Sequence, residues 1–251
     1  MYPALILPLA DISHSSTDKL VSSNFQNGQV IYDDPFLYEA AFSYRDITLE
    51  ANFFQDVFAR HNNGATPHSL LDLGCGPGAH CIASALAGIP LVVGVDINPA
   101  MVAHARASAI HNGLGTGCIF EEGDIRTYQS RYAPFDVIVI ALGTFMHLTE
   151  VVAGAACIVN ASSLLSERGV LIVEMPHPGD MFDGSMINPE SLGGERWESD
   201  DGLGTPTSNL EVQWGYKSDD FNPKSQVLTR TVKITAKGPE GRSVKEQVRH
   251  V

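Results

Sequence analysis

The stretch from Leu70 to His80, LLDLGCGPGAH, constrains this chain more than any other. A short apolar run leads into glycines at 74, 76 and 78 and then into a segment that reads as the start of a helix. Glycine removes the Cβ where a backbone must turn sharply and lets a ligand approach it closely. Such a turn delivers the ligand to the N-terminus of the next helix, where free N–H groups and the positive dipole end attract polar or anionic groups. A glycine turn alone is weak evidence, because any strand-to-helix turn can use it. A second run, LVVGVD, adds weight by ending in Asp96 about 20 residues further on, a spacing that suits a carboxylate gripping the two hydroxyls of an adenosine ribose.

Two cofactor patterns overlap here. Gly74, Gly76 and Ala79 meet the nicotinamide pattern G-x-G-x-x-G/A, whereas Asp72, Gly74, Gly76 and Gly78 meet an acidic residue followed by G-x-G-x-G. With the second pattern the chain resembles the Rossmann-like methyltransferases that use S-adenosylmethionine, whose first motif commonly reads LDLGCGxG. VVGVDINPAMVAHAR, EEGDIRTY, FDVIVIALGTFMHL and GVLIVEMPHP resemble later stretches of the same family, in the same order. The resemblance implies an α/β fold with a parallel central sheet, helices on both faces and S-adenosyl-L-methionine as cofactor. It implies a cofactor-binding set of Asp72, Gly74, Cys75, Gly76 and Gly78 at the turn, and Asp96, Ile97 and Met101 after the second strand. Asp124 and Ile125 match the positions that meet the adenine amino group and a ring nitrogen, and Ala141 and Leu142 follow the fourth strand. No Tyr-x-x-x-Lys pair supports a nicotinamide oxidoreductase.

At 251 residues the chain can bury a sizeable core. Its net charge of −13 argues against a nucleic acid partner, which needs a basic face. Cys75, Cys81, Cys118 and Cys157 form no C-x-x-C pair and read as free thiols of a reducing compartment. The opening MYPALILPLA lacks a basic flank and is far too short to span a bilayer, so a cytoplasmic location and no membrane contact are expected.

Residues 11 to 34 are rich in Ser, Asn and Asp, and 1–34 reads as a loose leader. A binding core with an N-terminal helical cover is expected over 35–178, then a loop and antiparallel β region over 179–251 that covers the substrate. Leu37, Ala41, Tyr44, Ile47, Phe54 and Phe58 keep helical spacing across one or two helices. By resemblance, Tyr44 and Arg45 are the candidates to touch the methionine end of the cofactor, the alternative being a core tyrosine and a solvated arginine. Asn98 and Pro99 open a helix that Gly113 ends, and His104 and His111 on it read as surface histidines. No metal is expected. TEVVAGAACIVNASSLLSERG reads as one long helix, followed by a fifth strand, VLIVEM. The stretch 176–210 reads as loop, then VQWGYKS, SQVLTRTVKITA and RSVKEQVRHV as antiparallel strands, the first two joined by the turn DDFNPK. The family then supplies a further helix and two core strands. Either the last hairpin replaces these strands or the sequence is truncated, and truncation is the expectation.

Methyl transfer from a sulfonium requires alignment of the acceptor and exclusion of water. A base helps when the acceptor arrives protonated. His147, in the loop after the fourth strand, is the first candidate base; His177, in EMPHP, is the second and could instead bind substrate. Phe145 reads as pocket wall or core, and Trp197 and Trp214 as lining or packing a lid. The chain has ALGTF where methyltransferases acting on nucleobase amines often carry Asn- or Asp-Pro-Pro-aromatic, which leaves a small-molecule acceptor, N before O. The likeness extends to sugar N-methyltransferases and glycine-type N-methyltransferases. The alternative is a truncated or degenerate S-adenosylmethionine-binding protein without turnover. The oligomeric state is open, with a homodimer allowed.

Overall fold

The computed structural model describes residues 31–175, 195–199, 210–216, 219–236 and 243–250. They fall into two compact units, residues 46–175 and residues 31–45 together with those described from 195 onward. Helix α1 (Pro35–Ala41) lies in the second unit, so the expected boundary at residue 35 falls inside it.

In the first unit, α2 (Ile47–His61) is followed by β1 (Ser69–Leu73), α3 (Ala79–Leu86), β2 (Leu91–Asp96), α4 (Pro99–His111), β3 (Cys118–Glu122), β4 (Phe135–Ile140), α5 (Val151–Leu164) and β5 (Leu165–Val173). The strands form a sheet in the order β3-β2-β1-β4-β5, every pair parallel. Alternate residues of each strand face opposite layers. Leu70, Val92, Val137 and Val139 pack with Phe54 and Phe58 of α2, Ile82 of α3 and Val102 of α4. Leu71, Val93, Ile138 and Ile140 pack with Cys157, Ala161 and Leu164 of α5. Covering both faces turns the strands into continuous apolar runs.

Local signals set most element ends. Asp46 caps α2 by accepting from Leu49 N, and Asn98 caps α4 by accepting from Ala100 N, with Pro99 in its first turn. Two expectations need correction. Helix α5 stops at Leu164, and β5 begins at Leu165, because Leu165 pairs with Phe135 and Val170 with Val137, leaving SERG in an irregularity between the two pairs. The Asp136 carboxylate at that irregularity accepts from Ser166 Oγ at 3.1 Å and from His68 N at 2.7 Å. His104 is buried, not a surface histidine, because α4 buries Met101, Val102, Ala105, Ser108 and Ala109 around it.

The second unit is an antiparallel sheet of β6 (Glu195–Ser199), β7 (Leu210–Trp214), β8 (Asp220–Asn222), β9 (Val227–Ala236) and β10 (Ser243–His250), in the order β10-β9-β7-β6, with β8 also paired to β9. Asp34 caps α1 through Leu37 N at 3.1 Å, and the helix lays Leu37, Ala40 and Ala41 on Leu210, Val212, Val232 and Ile234. The β9–β10 hairpin belongs to this sheet and does not extend the parallel one. Strand β6 falls where composition reads as loop, and DDFNPK contains β8.

Candidate functional site

Strand order reverses between β1 and β4, because β1 continues to β2 on one side while β4 lies on the other. Ligands of open α/β sheets bind at such a switch point, beyond the C-terminal strand ends. The glycine turn follows β1 there and is fastened to β2: Gly74 N and Cys75 N both donate to Val95 O, at 2.7 and 2.9 Å. Gly74 has φ +83, and a Cβ on it would lie 2.3 Å from Thr144 Cγ2, so the turn after β1 and the turn after β4 touch where glycine leaves room.

Asp96 organises the neighbouring loops. Its Oδ2 accepts from Gly76 N at 2.7 Å and its Oδ1 from Asn98 N at 2.9 Å, while its carbonyl accepts from Gly123 N at 2.9 Å. Burial raises its pKa, opposed by the backbone N–H groups of Asn98, Gly76 and Ile97. Ile97 beside it is exposed, whereas Met101 is buried in α4.

Asp72 lies beneath the turn, 1% exposed, with its Oδ1 buried and unpartnered among the described residues. Desolvation raises its pKa to about 6, against the opposing pull of His80 and a hydrogen bond from Cys81 Sγ at 3.6 Å. His80 Nε2 lies 2.6 Å from Glu50 Oε2 of α2, a contact that ties the first turn of α2 to α3. An orphaned buried carboxylate oxygen under a glycine cradle, with a second carboxylate at its rim, fits a ligand with a ribose and a positive charge.

The turn after β3 carries Asp124 and Ile125. Asp124 forms a fork with Arg126, whose Nε lies 2.9 Å from Oδ1 and whose Nη2 meets Oδ2, and this pairing holds the carboxyl below its usual pKa. Asn160 of α5 fixes the turn from below, donating through Nδ2 to Ile125 O at 3.1 Å and Tyr128 O at 3.0 Å and accepting from Gln129 Nε2 at 3.2 Å. Sequence reading missed Asn160. Its signal is an amide on a buried face otherwise made of Gly154, Cys157, Ala161 and Leu164.

After β4, buried Ala141 leads into Leu142 and Gly143, both left-handed at φ 54° and 69°, and then into a 3₁₀ turn, Thr144–His147. His147 ends that turn at an exposed position, and desolvation lowers its pKa. Phe145 packs into the core against Gly154 of α5. Thus Cys75 with the three glycines, Asp96 and Leu142 converge on one end of the parallel sheet. Tyr44 and Arg45 belong to the second unit, where the Tyr44 ring sits edge-on to Trp197 at 5.5 Å. Trp197 Nε1 donates to Ala41 O at 2.6 Å, and its ring centroid lies 6.4 Å from that of Trp214, so both tryptophans pack this unit together. His177 lies outside the described residues.

All four cysteines are free and buried, and burial raises the thiol pKa values, to about 12 at Cys118 and about 11 at Cys157. They are packing groups, not nucleophiles. Among the described residues no cluster of His, Cys, Asp or Glu is arranged to hold a metal, and no helix is long and apolar enough to cross a membrane.

Comparison with known proteins accords with this geometry. The model of a methyltransferase domain matches residues 67–202. A ribosomal protein L11 methyltransferase from Deinococcus radiodurans is 33% identical over 118 residues, 45% of this chain and 42% of that protein. A trans-aconitate 2-methyltransferase from Escherichia coli is 37% identical over 108 residues, 43% of this chain and 38% of that protein. The chain thus spans about two fifths of the length of these curated relatives. Among solved structures, an amino pentose methyltransferase from Micromonospora echinaspora superposes with a TM-score of 0.63 at 22% identity, covering 90% of this chain and 85% of that one. A sugar N-methyltransferase from Streptoalloteichus gives 0.63 at 20% identity, over 89% and 80%. These likenesses establish the Rossmann-like methyltransferase fold.

Proposed function

Since this chain belongs to the methyltransferase domain family, we propose that it is an S-adenosylmethionine-dependent enzyme that methylates a small molecule, at nitrogen before oxygen. The observation that carries the reading is Asp96, whose carboxylate reaches from the end of β2 to Gly76 N in the turn after β1, at 2.7 Å. This places a charged acceptor of hydrogen bonds at the rim of the glycine cradle, where ribose hydroxyls are held in this fold.

The bound cofactor supplies a methyl group on a positively charged sulfur, which leaves readily. The chain's residues do the rest. Asp96 orients the ribose through its carboxylate oxygens, and the turn of Asp124 and Ile125, fixed by Asn160, receives the adenine edge. Asp72 places negative charge beneath the glycine turn, on the side that favours a cation. His147 takes the acceptor's proton on a ring nitrogen. Desolvation lowers the pKa of His147 and so favours the neutral imidazole, the form that can accept a proton. The sugar and amino pentose methyltransferases with the same fold support an amine on a small polyol as acceptor, and cover 89% and 90% of this chain.

Calorimetric titration of the purified chain with S-adenosylmethionine, S-adenosylhomocysteine and NAD tests the cofactor. Binding of the two sulfur nucleotides and not of NAD is expected, with Asp96→Ala weakening it by more than about tenfold, the loss of a charge-assisted pair of hydrogen bonds. Unchanged affinity in a folded Asp96→Ala variant removes Asp96 from the ribose site. Transfer of labelled methyl to amino sugars in preference to their hydroxyl analogues tests the acceptor, and the reverse preference overturns nitrogen.

A further inference from the structure

We propose that Glu174 is a positioning residue of this site: its carboxylate holds Leu142 in a left-handed conformation and so sets the turn that carries His147. The inference rests on the methyltransferase reading of the same site and names a residue which that reading does not use.

The backbone raises the question. A chain leaving β4 must clear the switch point, and it does so with two successive left-handed residues, Leu142 at φ 54° and Gly143 at φ 69°. Gly143 adopts that region freely, whereas Leu142 carries a Cβ that opposes it. A non-glycine residue in this region persists when its surroundings over-determine it, and such positions gather at functional sites.

The structure contains the restraint. Glu174 Oε2 accepts from Leu142 N at 2.9 Å. The carboxylate comes from a rigid base, because Glu174 N donates to Ile140 O at 2.9 Å, continuing the ladder one step beyond the Ile140–Val173 pair. The turn is braced again further along. Thr144 N donates to Ala141 O at 3.0 Å and Met146 N to Gly143 O at 2.9 Å, and the Met146 side chain is buried. Thr144 Cγ2 fills the space that a Cβ on Gly74 would need. The end of β5 and the glycine turn therefore grip one short turn from two sides, and His147 is its last residue.

Hydrogen exchange of the segment 141–147 and titration with S-adenosylhomocysteine, on the full chain, test this. Glu174→Ala should speed exchange of the segment by at least about tenfold, as expected when a local restraint is lost, and weaken the nucleotide at least about fivefold. Glu174→Gln keeps an acceptor oxygen at the same reach and should stay within about twofold of the parent in both. Adding Leu142→Gly to Glu174→Ala should recover much of the protection, because glycine takes φ 54° without the Cβ penalty. Parent-like exchange in Glu174→Ala, a Glu174→Gln variant as damaged as Glu174→Ala, or no recovery in the double variant each overturns the proposal. If Glu174→Ala does not fold, restored folding in the double variant supports the proposal and continued unfolding overturns it. A parent chain that fails to bind S-adenosylhomocysteine overturns the cofactor reading instead, and the exchange comparison still decides the role of Glu174.

Discussion

The two units solve the same burial problem in opposite ways. The parallel sheet is covered on both faces, so Leu70 and Leu71, neighbours in sequence, enter different cores. The antiparallel sheet places Val212 opposite Ile234 and Trp214 opposite Val232, and gathers its core with α1 and a set of aromatic rings. In the first unit the strand ends are therefore free to carry turns with unusual backbone, because packing along the strands already holds them. In the second, aromatic contacts hold the layers themselves. A doubly covered sheet supplies a rigid rim for chemistry, and a sheet with one well-filled face supplies a broad platform.

Substitutions can break that contrast at three points. The largest effect is expected at the rim of the parallel sheet. Gly78 has φ +88, and a Cβ on it would lie 2.7 Å from the Phe120 ring and 2.8 Å from Ala105 Cβ. Gly78→Ala should cost about 4 kcal/mol, combining left-handed strain with overpacking, read from the midpoint of urea unfolding at unchanged slope. A loss below about 1 kcal/mol would mean that the core around Phe120 yields easily and is not rigid.

Asp72 gives the next effect and ties the contrast to pH. Its pKa in the fold, about 6, lies above its ordinary 3.8. The native chain therefore binds that proton more tightly than the unfolded chain. The associated stability is full below the ordinary value and is lost as pH rises through the folded one. Asp72 faces His80, Cys81 and Asp96, and His80 offsets part of this loss. Relative to Asp72→Asn, the parent should lose up to about 3 kcal/mol between pH 4 and 7. Parallel stability–pH curves for the two proteins would show that burial of this carboxyl carries no such cost.

Trp197→Ala should have the smallest effect of the three, about 2 kcal/mol, because the ring is half-buried and loses its contacts with Phe42 and Trp214 along with the hydrogen bond to Ala41 O. The expected readout is a lower thermal midpoint with altered near-ultraviolet dichroism. An unchanged spectrum would remove Trp197 from the packing of the second unit.

Much of the first unit is legible in sequence because its signals are local. The apolar runs, the Asp46 and Asn98 caps and the glycines of the turn each act within a few residues, and the structure places strands, helices and turn where they indicate. The failures have long-range causes. SERG reads as the end of a helix until Leu165 and Val170 pair with β4 on either side of it and Asp136 binds Ser166. Strand β6 has charged residues and no apolar alternation of its own, and forms a strand by pairing with β7. His104 carries no mark of burial, because the packing around α4 is wider than one helical stripe.

By itself the sequence determined the parallel α/β core, the glycine turn with its acidic partner at Asp96, and the loop in which His147 sits, since periodicity, capping and turn chemistry are written in neighbouring residues. Tertiary structure alone decided that Asn160 supports the turn of Ile125, that Glu174 meets Leu142, and that the final hairpin joins the antiparallel sheet. Those contacts join residues about 30 positions apart or strands with equally valid local partners, and no local preference distinguishes them until the sheets have formed.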